Sequence, residues 1–198
     1  MQKFGNGNTF DLGSHLLDQV VHLWGVPQRI FADVRDERGA SADETVKFLE
    51  KEGFIDDSFD LLLYYDRVKD STKIPKQGLR VKLSSTTSSL APKQLRYVVR
   101  GTLAGYVKHG VDPQEPQTEA GMAMSDPGFG AEEEDMWGVL TWANGVSEQV
   151  KTKRGVYTKF FEYLANGQAP VDPEEVLGVV RVIEAAGVSV REGRVVDL

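Results

Sequence analysis

The chain of 198 residues contains no cysteine. That absence removes disulfides, thiolate nucleophiles and sulfur-ligated metals together, and it fits a reducing cytoplasm. Basic residues are outnumbered, 23 Lys and Arg against 30 Asp and Glu. With a net charge of −7 and no basic stripe to meet phosphates, a nucleic-acid partner is argued against. No apolar run reaches the length of about 18 residues that a membrane span requires. The N-terminus has no basic region followed by an apolar stretch, so neither a membrane segment nor a cleaved leader is expected. Internal repeats and low-complexity tracts are also missing. What is present, 40% hydrophobic and 27% charged residues, is ordinary for a globular protein long enough to bury a full core.

Histidine is scarce as well, and two of the three stand in one short stretch, GNTFDLGSHLLDQVVHLWG at 7–25. Wound as a helix at 100° per residue, Asp11, His15, Asp18 and His22 fall within about 60° of one another. Leu12, Leu16, Leu17, Val20, Val21, Leu23 and Trp24 take the opposite half. The expectation is an amphipathic helix over 11–24, stopped by Gly25 and Pro27, with a polar stripe made almost wholly of proton-handling groups. Asp11 also suits an N-cap.

Beyond it, RIFADV (29–34) alternates as a strand. ASADETVKFLEKEG (40–53) has helical composition. DLLLYYD (60–66), LRVKLSSTTS (79–88), LRYVVRG (95–101) and GYVKHG (105–110) read as strands. WGVLTWAN (137–144) and VSEQVKT (146–152) read as a hairpin turning at Asn144-Gly145. Helices are expected at 157–167 and at 172–187, the second opened by Asp172 and Pro173, before a last short strand, RVVDL. The order predicts an α+β fold: a single domain over 1–198 with an open, mainly antiparallel sheet and its helices packed on one face. The four strands from 60 to 110 are expected in one sheet.

The stripe admits three chemistries. As a metal site it suffers from length, since four ligands on one straight helix spread over about 16 Å, and one other His exists. As a solvated face its Asp–His pairs at i,i+4 and i,i+3 contribute a few tenths of a kcal/mol. As an acid–base site, a His near neutrality removes a hydroxyl proton while an Asp one turn earlier steadies the imidazolium. FGNGN (4–8) lacks the preceding strand that a dinucleotide fingerprint needs and reads as a lead-in to the helix. His109 reads as a surface residue at a strand end.

TFDLGSHLLDQVVHLWG resembles the helix that opens the C-terminal domain of the Gfo/Idh/MocA oxidoreductases, the family of glucose-fructose oxidoreductase and inositol dehydrogenase. Its D-x-x-x-H-x-x-D pattern is matched by Asp11, His15 and Asp18. YVVRGTLAGYVKHGVDPQEPQTEAGMAMSDPGFG (97–130) is similar to the G-T…K…D-x-Q-E…G…D-P-G-x-G stretch of one bacterial and fungal branch. The tail from Pro170 is similar to that family's C-terminus. Only an insert around 39–54 lies outside the likeness.

The resemblance implies a two-domain enzyme in which an N-terminal Rossmann domain holds NAD or NADP and the sheet domain forms most of the substrate pocket. It implies hydride transfer on a sugar, polyol or related compound. His15 would act on the substrate hydroxyl proton, Asp11 would be its carboxylate partner, and Asp18 would lie at a further substrate-binding position. It also implies a homo-oligomer, a dimer formed through the open sheet face. The chain has neither a G-x-G-x-x-G after a strand nor an E-K-P motif, so no cofactor binding by these residues is expected, and a Rossmann partner is required. The alternative is a non-enzymatic binding or oligomerisation module that keeps the sheet domain alone.

Overall fold

In the computed structural model, residues 7–37, 55–67, 78–90, 93–153 and 158–198 are described. The first half contains α1 (Asn8–Trp24), β1 (Arg29–Arg35), β2 (Ser58–Tyr65), β3 (Leu79–Thr86), β4 (Leu95–Arg100) and β5 (Ala104–His109). Then follow α2 (Gln114–Glu119), a 3₁₀ turn (Glu134–Met136), β6 (Gly138–Trp142), β7 (Ser147–Val150), α3 (Thr158–Ala165), α4 (Pro173–Glu192) and β8 (Val196–Asp197). The helix expected at 40–53 lies outside the described residues.

The strands form two open antiparallel sheets, β3-β2-β1-β8 and β4-β5-β6-β7. This corrects the single sheet expected for 60–110. Alternation establishes which side of a strand is apolar, but it does not say which strand lies alongside. The chain divides correspondingly into two compact units, one of residues 1–89 with 171–198 and one of residues 90–170.

In the first unit the alternation works as the sequence implies. Ile30, Ala32 and Val34 of β1 and Phe59, Leu61, Leu63 and Tyr65 of β2 are all buried on one face. They join Leu17, Val20 and Val21 of α1 and Val179, Val182 and Ile183 of α4 in one core. Both helices therefore cover the same face of this sheet, as expected of them, whereas α3, expected on that face too, belongs to the other unit. The other face is mixed, with Phe31, Leu62 and Tyr64 set among charged side chains that pair with one another. Arg35 Nε donates to Asp33 at 2.9 Å, Lys82 lies 3.1 Å from Asp60, and Ser84 also donates to Asp60.

Three features differ from the reading of the sequence. The buried arc of α1 centres on Leu17, Val20 and Val21, so Leu12 and Leu23, about 110–130° around the helix, are exposed. α1 begins at Asn8 with Gly7 as N-cap, so Asp11 sits inside the first turn and does not cap. α4 passes straight through Gly187, which is buried, and ends at Gly193 in the left-handed conformation.

The second unit is two hairpins side by side. The β6–β7 turn is the expected Asn144-Gly145 pair. Gly145 has φ +84, and the Asn144 side chain accepts the Val146 N–H at 3.0 Å. Apolar burial here is thin, with Phe129 in place of a broad core. In its stead Lys108 and Glu132 form an ion pair at 2.7 Å with both side chains less than a tenth exposed. Lys108 also donates to the Met136 carbonyl at 2.7 Å, and the Thr152 hydroxyl donates to Glu132 at 2.6 Å. The short helix α2 and the 3₁₀ turn had no clear signal in the sequence.

Candidate functional site on the first helix

α1 is held at both ends. At its start, the carboxylate of Asp56 accepts the Thr9 N–H at 2.6 Å, and the Asp56 carbonyl accepts the Asn8 N–H at 2.8 Å. The Asn8 amide donates to the Asp57 carbonyl at 3.1 Å and to Ser85 Oγ at 3.0 Å. Gly7 permits this closeness, because a Cβ there would strike the Asp56 carboxylate. At its end, the Tyr65 hydroxyl donates to the Gly25 carbonyl at 2.9 Å. Burial pushes that hydroxyl well above the usual tyrosine value, which keeps the donor protonated. Between these anchors, Gly13 lies over the Phe59 ring, 3.4 Å from where a Cβ would stand.

With the apolar side fixed, Asp11, His15, Asp18 and His22 are all presented outward and exposed. Among the described residues, no hydrogen bond or ion pair engages the side chains of Asp11, His15 or Asp18. Their helical spacing puts them on one face, but the Asp11 carboxylate and the His15 imidazole do not touch. The Asp–His pairs of a self-satisfied surface are thus not formed. His22 turns instead to α4, where its Nδ1 lies 3.1 Å from Glu175. His109 is exposed at the end of β5, as read. No described group of three His, Asp or Glu side chains converges as a metal site would. No helix among the described residues is long and apolar enough to cross a membrane.

The fold and this stripe define a class: an open antiparallel α+β domain that presents Asp and His on one exposed helix face. The chain belongs to the Gfo/Idh/MocA oxidoreductase family, whose C-terminal alpha/beta domain matches residues 1–198. Among its relatives, the scyllo-inositol 2-dehydrogenase (NADP(+)) IolW of Bacillus subtilis is 31% identical over 204 residues, covering 97% of this chain and 49% of that protein. An uncharacterised oxidoreductase of Schizosaccharomyces pombe is 30% identical over 199 residues, covering 92% and 50%. The crystal structure of an oxidoreductase from Bacillus cereus superposes with a TM-score of 0.77 at 25% identity, covering all of this chain and 53% of that one. The chain thus spans about half the length of the relatives it matches.

Proposed function

We propose that the α1 stripe is the proton-handling part of the site of an NAD(P)-dependent oxidoreductase acting on a sugar, a polyol or a related compound. One observation carries the reading. Asp11, His15 and Asp18 share an exposed face on a helix anchored at both ends, and nothing in the described residues uses their hydrogen-bonding capacity. In this reading the His15 imidazole takes the hydroxyl proton of the substrate. Asp11, one turn earlier, stabilises the resulting imidazolium, and Asp18 accepts a hydrogen bond from a neighbouring hydroxyl. Kinship with a protein named as an inositol dehydrogenase supports the substrate class.

Neither core-helix start offers a nicotinamide cofactor a phosphate cradle. The glycine-led start of α1, the nearest thing to a phosphate cradle, is already closed by the Asp56 carboxylate, which would repel a pyrophosphate. The start of α4 is closed in the same manner by Asp172. Cofactor binding is therefore assigned to a Rossmann partner domain, and the cytoplasm, suited to a chain without cysteine, is the proposed compartment.

The test supplies a Rossmann half from a relative in trans, with NAD or NADP and a panel of polyols and sugars. Turnover is expected from the mixture. His15→Ala, on an exposed position, should lower kcat by about 100-fold or more with an unchanged circular dichroism spectrum. Tight cofactor binding by the chain alone, or restored turnover that survives His15→Ala, would overturn the reading.

A further inference from the structure

The second unit contains a cavity of about 440 Å³ on one face of the β4–β7 sheet, within the usual size range of small-molecule sites. All of its lining lies between Arg96 and Lys153, so it belongs to this unit, and no residue of the α1 stripe lines it. Its floor is apolar, made by Tyr97, Val99, Tyr106 and Val150. The Tyr106 ring lies directly on Gly138, where any Cβ would collide with it. That glycine is what lets the floor sit flat. Burial, with the Glu132 charge behind it, pushes the Tyr106 hydroxyl upward, so it stays protonated and able to donate.

The charges around the cavity do not balance. Four cations line it, Arg96, Lys108, Lys151 and Lys153, against two carboxylates, Asp112 and Glu132. Lys108 and Glu132 cancel each other in their buried pair. Asp112 is spent on α2, accepting the Gln114 N–H at 2.9 Å and its side-chain amide at 3.3 Å. Among the described residues, Lys151 and Lys153 have no carboxylate partner, and Arg96, though its charge acts on Glu132, forms no ion pair. Arg96 instead lies 5.7 Å from the Tyr97 ring centre and Lys151 5.4 Å from that of Trp137. In a chain of net charge −7, three cations without an ion-pair partner gathered on one cavity bias its local field toward anions.

We propose that this cavity binds a small hydroxylated molecule carrying one anionic group, a carboxylate or a phosphate. The anion faces Arg96, Lys151 and Lys153, the carbon skeleton lies on the tyrosine and valine floor, and hydroxyls meet Gln114 and the Tyr106 hydroxyl. The buried Lys108–Glu132 pair fixes the inner wall: Thr152 and Lys108 hold Glu132 in place from two sides.

The experiment titrates the full chain at low ionic strength with glucose 6-phosphate, gluconate, inorganic phosphate and neutral glucose, read by calorimetry and by tryptophan fluorescence from Trp137. At least one anionic probe should bind with a Kd of about 1 mM or tighter, and glucose about tenfold more weakly or worse. The phosphate and gluconate arms distinguish the two anion sources. The double variant R96Q/K153Q, at exposed positions, should weaken binding about tenfold, while His15→Ala should leave it unchanged. Failure of every anionic probe, binding that survives R96Q/K153Q, or binding lost in His15→Ala would each overturn the assignment.

Discussion

At the scale of single residues, the pair in the second unit is the most consequential contact. Two charges less than a tenth exposed cost several kcal/mol each to desolvate, and only mutual contact with further hydrogen bonds offsets that. Removing one partner strands the other. Glu132→Gln should therefore destabilise the unit by about 3–5 kcal/mol, and Lys108→Met combined with Glu132→Gln should cost less than the two single changes summed. Urea unfolding of the three variants checks this. Acid should act on the same contact. Burial pushes the Glu132 carboxyl up, but hydrogen bonds from Lys108 and Thr152 and the charges of Lys108 and Arg96 outweigh it. The group is held below the ordinary value of 4.5. Its folded value is thus the lower one, so the stabilisation is complete above the unfolded value and is lost as pH falls through the folded one. Stability measured from pH 6 downward should fall at acid pH in the parent chain and fall less steeply in Glu132→Gln.

At the scale of elements, the two core helices are capped by the same chemistry from different distances. Asp172 caps its own helix, accepting the Glu174 N–H at 3.0 Å. Asp56 caps α1 from a segment 47 residues away, at 2.6 Å. Asp172→Ala and Asp56→Ala should each cost about 1 kcal/mol, seen as a lower urea midpoint with an unchanged slope. A negligible loss in Asp56→Ala would show that the backbone bonds of Asn8 suffice. The contrast also explains what was legible in the sequence. The Asp172 cap and the Gly25 stop sit beside the helices they bound, so the residues themselves announce them. The Asp56 cap is a tertiary contact, so the sequence alone puts the start of α1 three residues late and offers Asp11 as a cap, a role it does not have. The same division separates strands from sheets. The segments 60–66, 79–88, 95–101 and 105–110 were readable as strands from their β-branched and alternating residues. Which of them pair depends on where the chain turns back, and no local pattern records that. The Asp–His stripe was legible because helical spacing alone brings it together. The Lys108–Glu132 pair was not, because its members lie 24 residues apart on a strand and a loop.

At the scale of the whole molecule, each sheet has a face without helices of its own unit drawn over it, and the two faces differ in what burial would cost. On the first sheet that face sets Phe31, Leu62 and Tyr64 beside Asp33–Arg35 and Asp60–Lys82, exposed ion pairs whose desolvation in an interface would return little. On the second, strand register aligns Val98, Val107 and Val139 across three strands, and all three are exposed, at 43, 38 and 39%. Since side chains alternate along a strand, this valine row faces away from the cavity floor of Tyr97, Val99 and Tyr106. Its neighbours Thr141, Ser147 and Gln149 are polar without formal charge and Arg100 stands at its edge, an apolar centre with a polar rim. We propose that the chain forms a homodimer, sheet face against sheet face, through this row, with each subunit burying about 800 Å². Light scattering at concentrations on the order of tens of micromolar should then give twice the chain mass of 21.9 kDa. Val107→Asp should give the single-chain mass with an unchanged circular dichroism spectrum, because a charge at the centre of the row would be buried without a partner. Asp33→Ala, on the other sheet, should leave the dimer intact. A parent chain that scatters as a monomer, or a dimer that survives Val107→Asp, would rule out this interface.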